Sequence, residues 1–238
     1  MNLTLVGVVH RDPKGYQRLL SILEEVRPEA IGVELSPLGL AWRERNRDRL
    51  LGKLQDLLMR LGPDAKGHPQ ISLIREALEI PFEFRASMEH SRRHGVPVHL
   101  LDLNRISREE LPLLEKEVLT HRNLRVLLGV GGPSVEQQVA SAYRKAWLCL
   151  EGRLSLWEAG VRPPWTDGLS LLREKYLACR IRGSLASHRS FLYAGGWVHL
   201  VEDPNGPTVA RILEDLRPRK MILRQKVELR ECTDLSIQ

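Results

Sequence analysis

Two short segments share one spacing: Gly7-Val8-Val9-His10 and Gly196-Trp197-Val198-His199 are both Gly-x-x-His, and each closes an apolar run. Glycine at such a place removes side-chain bulk, so that a neighbouring group or a ligand can approach the backbone. A histidine three residues on then sits on the loop above the strand. Glu34 and Asp102 stand at equivalent places, near the ends of the apolar runs AIGVEL (30–35) and VPVHLLDLN (96–104). Two neutral imidazoles and a carboxylate suit a divalent metal of the Mn, Co or Zn class, and such an ion lowers the pKa of bound water enough to make a nucleophile. On this reading His10 and His199 ligate the ion. Glu34 either completes the shell or takes the proton from the attacking water, and residue type alone does not separate the two roles. A single Gly-x-x-His recurs by chance; the weight lies in the pair, joined by two acids at equivalent strand ends.

Such residues need elements that bring them together. The run LTLVGVVH (3–10) is the kind that a strand buried on both faces requires. Asp12 then offers an N-cap with Pro13 at the first helical position, and Tyr16, Leu19, Leu20, Leu23 and Val26 recur at helical spacing. Residues 30–35 and 96–104 supply a second and third strand, SFLYAGGW (190–197) a fourth and RKMILRQKVEL (219–229) a last one. Helical patterns fill 38–61, the stretch from about 70 to His94 (stopped by Gly95), 105–188 and 207–216. Strands separated by helices predict an α/β fold, with a parallel or mixed central sheet covered by helices. The whole chain, 1–238, reads as one domain in which residues 105–188 form a helical cap over the carboxyl ends of the strands. Ligands of open parallel sheets bind beyond those ends, so His10, Glu34, Asp102 and His199 are expected on one rim.

Composition narrows the function classes. The chain of 238 residues can bury a full core without disulfides, and 42% hydrophobic with 28% charged residues suits a globular fold. Three widely spaced cysteines, Cys149, Cys179 and Cys232, fit neither a disulfide framework nor a C-x-x-C pair, which predicts a reducing, cytoplasmic setting. No apolar run has the length of a membrane span, and the first residues lack the features of a signal peptide. The formal charge of +6 permits an acidic partner, but the basic residues alternate with acids, as in RERNRDRLLGKLQD. With no nucleic-acid-binding motif in view, neither nucleic acid nor membrane is an expected partner.

The order of the segments GVVH, SILEEVRPEAIGVELSP, FRASMEHSRRHGVPVHLLDLN and EKYLACRIRGSLASHRSFLYAGGWVH resembles the TraB/PrgY/GumN family, related to the Tiki proteases and more distantly to erythromycin esterase. The resemblance covers roughly the first 200 residues. It implies paired Gly-x-x-His motifs and a glutamate at the end of the second strand, matched here by His10, His199 and Glu34. More loosely it implies that Asp102, Tyr176 and Arg180 line the site and contact substrate. It also implies a hydrolase of peptide or ester bonds. The sequence departs from the family where Arg-Asp-Pro follows the first histidine, where Val198 replaces a frequent glycine, and in lacking a C-terminal membrane segment.

A rival reading is a non-catalytic regulatory protein that holds a peptide, a small signal molecule or a haem on the same rim. In either case the expected partner is a peptide or small molecule, and oligomeric state is not encoded legibly. Lesser signals read as structural. GVGGPS (129–134) precedes a helix but lacks the lysine of a phosphate loop, and Cys179 reads as a buried small residue. His68, His90, His94, His99, His121 and His188 read as having no ligand spacing with one another.

Overall fold

The computed structural model describes residues 2–224. Five strands form one sheet in the order β3-β2-β4-β1-β5: β1 (Asn2–Val8), β2 (Ala30–Val33), β3 (Val98–Leu100), β4 (Ser190–Gly196) and β5 (Arg219–Ile222). Every pairing is parallel, as the α/β reading requires. The helices are α1 (Gly15–Val26), α2 (Pro37–Leu61), α3 (Pro69–Leu78), α4 (Phe82–His94), α5 (Asn104–Leu113), α6 (His121–Leu128), α7 (Val135–Leu150), α8 (Gly168–Leu185) and α9 (Val209–Ile212).

The two-residue period of a strand divides the core. Val6 and Val8 of β1, with Leu192 and Ala194 of β4, pack with Leu19 and Leu23 of α1, Ala86 of α4 and Tyr143 of α7. Leu3 and Leu5, with Phe191 and Tyr193, point the other way, onto Leu177, Ala178 and Ile181 of α8 and Val209 of α9. The sheet is therefore buried on both faces, which explains why its strands read as continuous apolar runs. A third apolar cluster lies apart from the sheet. Leu50, Leu54 and Leu58 of α2 meet Ile71, Ile74 and Leu78 of α3, with Leu119 and Leu124 closing it from the α5–α6 segment.

This partition divides the expected cap. Helix α7 and most of α8 cover the two faces of the sheet, where their apolar residues complete its core. The hollows at the rim are walled by α5 and by residues 162–167 with the start of α8, all within 105–188, and also by α2 and α3 from outside that span.

Other departures are local. Helix α1 begins at Gly15, not after Asp12, and the Asp12 carboxylate, buried, instead accepts from Lys14 N–H at 2.9 Å, Arg18 at 2.7 Å and the Tyr143 hydroxyl at 3.1 Å. The third strand is only three residues long. Cys179 is exposed, since α8 turns it away from the sheet. The proposed last strand is present over 219–222 and stops before Leu223 and Arg224; residues 225–229, like Cys232, lie outside the described residues. No described helix is long and apolar enough to cross a membrane.

Candidate active site

Because β4 lies between β2 and β1, the ends of those three strands are neighbours. Val8 pairs with Gly196 and Val33 with Ala194, so the residues that follow share one rim. Glu34 sits at its centre, with Oε2 accepting the Gly196 N–H at 2.5 Å and Oε1 lying 3.1 Å from His199 Nε2. His10 Nε2 lies 3.7 Å from Glu34 Oε2. The three residues singled out by type and spacing are thus adjacent. Glycine is needed here for space: a Cβ on Gly195 would come within 2.2 Å of the Tyr193 hydroxyl and 2.6 Å of Glu34 Oε2, and one on Gly196 within 3.0 Å of His10 Nε2.

Three further residues complete the site, all from helices and none anticipated from the sequence. Glu83, in the first turn of α4, holds His10 Nδ1 at 2.7 Å. Glu174 of α8, fully buried, holds His199 Nδ1 at 2.5 Å and accepts the Val209 N–H at 2.7 Å on its other oxygen. Arg173, its neighbour on α8, donates two bonds to Asp102, at 2.8 and 2.6 Å, and reaches Glu34 Oε1 at 2.7 Å. A carboxylate on each Nδ1 sets the tautomer and turns each Nε2 toward Glu34. Asp102, also expected to line the site, pairs with Arg173 and itself borders one of the rim cavities.

Electrostatics separate the two histidines. Burial lowers the pKa of His199, but Glu34 and Glu174 on either side outweigh it and raise the value from 6.5 to about 10. His199 is thus an imidazolium at neutral pH. Desolvation also acts to lower His10, yet Glu83 and then Glu34 more than compensate, leaving it above 6.5. Burial would raise the Glu34 carboxyl, but His199 and Arg173 hold it well below 4.5. Arg173 is held fully protonated against its own burial by Glu34 and Asp102.

Two cavities, of about 370 and 350 Å³, meet at this point and share His10, Glu34 and Arg173. Arg162, Asp167 and Trp197 line the first; Arg43, Ser107 and Glu110 line the second. Tyr176 and Arg180, expected as substrate contacts, line neither. Arg180 lies seven residues beyond Arg173, about 10 Å along the helix, and borders a separate hollow with His99 and His188. The expected contacts thus lie too far along the right helix: Ser170, Arg173 and Glu174 are its rim residues. The glycines before α7 make no anion cradle, because Ser134 and Gln137 close a reciprocal capping box on the first turn. His90 and His94, read as lacking ligand spacing, in fact face Glu24 together.

The expected divalent ion does not fit the rim as it is arranged. Oε1 of Glu34 already serves the Arg173 guanidinium and His199, and Oε2 serves the Gly196 N–H. A permanent cation thus stands where a metal would share the carboxylate. His10, Glu34 and His199 are also not a set whose ligand atoms all lie within 4.8 Å of one another; among the described residues that condition is met by Glu24, His90 and His94. What the rim offers is an acid–base pair: a half-exposed imidazole with its Nε2 open, beside a buried imidazolium and a guanidinium. Compared with family models, with curated proteins and with solved structures, the chain finds no match in any of the three.

Proposed function

We propose that the chain is a hydrolase of peptide or ester bonds, the class implied by its resemblance to the TraB/PrgY/GumN family, and that His10 is its general base. The observation that carries this reading is the His10–Glu83 pair. With Nδ1–H donated to Glu83 at 2.7 Å, Nε2 keeps its lone pair and faces the junction of the two cavities. Its 3.7 Å gap to Glu34 Oε2 exceeds a direct hydrogen bond and suits a water held by both groups. Such a water is the nucleophile. Its proton passes to His10 Nε2 as its oxygen attacks the carbonyl carbon.

Negative charge then develops on the carbonyl oxygen, and the cations of the rim, His199 and Arg173, are fixed in place to stabilise it. Collapse breaks the bond to the leaving nitrogen or oxygen, which recovers the proton from His10. Two cavities meeting at the base suit this chemistry, since an acyl substrate has one part on each side of the scissile bond. The substrate is accordingly a peptide or a small ester.

The test is hydrolysis of a panel of aryl esters and a mixed peptide library by the purified full chain. Turnover that survives chelator treatment and disappears in His10→Ala is expected. No turnover in the parent, together with tight retention of a peptide or small molecule, would instead identify a binding regulator. Turnover that needs a divalent ion, with that ion lost in His199→Ala, would return the metal-assisted mechanism.

A further inference from the structure

We propose that Glu24, His90 and His94 form a structural site for a divalent transition-metal ion of the zinc class, clamping α1 to α4 away from the candidate active site. His90 and His94 are four residues apart on α4, so both rings leave one face of the helix, with centroids 4.3 Å apart. Glu24, in the last turn of α1, faces them. Its Oε1 is 3.3 Å from His90 Nδ1, and its oxygens are 3.1 and 2.9 Å from His94 Nε2. One ligand atom from each residue lies within 4.8 Å of the others. Ligands about 2.0–2.1 Å from a tetrahedral zinc are roughly 3.3 Å apart, so small side-chain rotations complete the geometry.

The donor set selects the ion. Two imidazoles with one carboxylate suit zinc, cobalt or nickel, whereas calcium and magnesium require oxygen ligands. Glu24 and His94 are 35% and 40% exposed, which leaves the fourth position to water. One charge opposes the ion: Arg93 lies 3.8 Å from Glu24, although it is held closer, at 2.8 Å, by Glu89. The competing description is a plain hydrogen-bonded triad, with Glu24 accepting from both rings and no affinity for metal.

A clamp here has a consequence at the rim. His90 and Glu83 lie on the same helix, seven residues or about 10 Å apart, and Glu83 is the partner of His10. An ion at one end of α4 fixes the rotation of the helix that orients the proposed base at the other.

The experiment is titration of the metal-stripped full chain with Zn²⁺ against a chromophoric chelator, with thermal unfolding recorded alongside. Zn²⁺ is expected to bind and to raise the Tm of the parent. In His94→Ala and Glu24→Gln, both surface changes, one equivalent should be lost or weakened by about tenfold or more, and the Tm rise should vanish. His10→Ala and His199→Ala should keep that equivalent, and Arg93→Ala should keep or tighten it. A parent that binds no Zn²⁺ overturns the proposal. So does retention of full affinity in His94→Ala and Glu24→Gln, and so does loss of the ion in His199→Ala instead, which would locate it at the rim.

Discussion

The carboxyl ends of β1 and β4 carry the same Gly-x-x-His spacing and finish in opposite environments. His10 has a half-exposed ring, at 49%, and a single close carboxylate partner, whereas the His199 ring is 3% exposed and lies between Glu34 and Glu174. The motif delivers an imidazole to the rim in both cases. What the imidazole then does is decided by the helix that meets it. Glu83 of α4 grips one nitrogen and leaves the other open, while Glu174 of α8 and Glu34 grip both. A shared local sequence therefore places a half-exposed imidazole, the proposed base, at one strand end and a buried cation at the other.

The largest separation between the two ends is expected in catalysis. His10→Ala should slow hydrolysis by about 10²–10⁴-fold, the usual worth of a general base, while leaving the urea midpoint close to that of the parent because the ring is half exposed. A comparable loss of stability would make His10 a structural residue and not a base.

The next effect is on stability and falls on the β4 end. Glu174→Gln leaves the buried imidazolium with one anionic partner and should cost about 3–5 kcal/mol in urea unfolding, whereas Glu83→Gln, at a buried carboxylate whose His10 partner is half exposed, should cost clearly less. Similar costs would erase the contrast. The pH dependence has a definite sign. A histidine raised from 6.5 to about 10 on folding stabilises fully below about pH 6.5, and that contribution is lost as pH rises through about 10. Glu34, held well below 4.5, acts oppositely: its contribution is present above about pH 4.5 and is lost as pH falls through its depressed value. Unfolding free energies measured from pH 6 to 10 should fall more steeply for the parent than for Glu174→Gln.

A smaller effect tests the space that lets the strand ends close on Glu34. Gly195→Ala places a methyl group 2.2 Å from the Tyr193 hydroxyl and 2.6 Å from Glu34 Oε2, and should cost about 1–3 kcal/mol by overpacking. Gly183→Ala, with open space around it, serves as the control and should be neutral or slightly stabilising. A neutral Gly195→Ala would mean that the rim is looser than its distances indicate.

Much of this was readable from sequence, for a physical reason. A strand buried on both faces is an apolar run, and the polar residue that ends it must lie on the rim, so His10, Glu34, Asp102 and His199 announce themselves. Their helical partners do not. Glu83, Arg173 and Glu174 lie among many charged helical residues, and only the packing of α4 and α8 on the sheet selects which of them reaches the site. The same uncertainty in helix position underlies the assignment of Tyr176 and Arg180 in place of Ser170 and Arg173. The cap was drawn too broadly because a helical pattern over 105–188 does not distinguish helices that complete the sheet's core, as α7 does, from those that stand at the rim, as α5 and the start of α8 do. His90 and His94 had a helical spacing in plain view; its significance depends on Glu24, which only the pairing of α1 with α4 brings near.

The most direct test of the account is an NMR titration of the ring resonances of His10 and His199 in ¹⁵N-histidine-labelled protein, assigned through His10→Ala and His199→Gln. His10 is expected to titrate above 6.5, and His199 near 10; Glu83→Gln should lower His10 and leave His199 unmoved. A His199 that is neutral at pH 7, or a single shared transition for both rings that Glu83→Gln does not split, would contradict the assignment of one imidazole as base and the other as fixed cation.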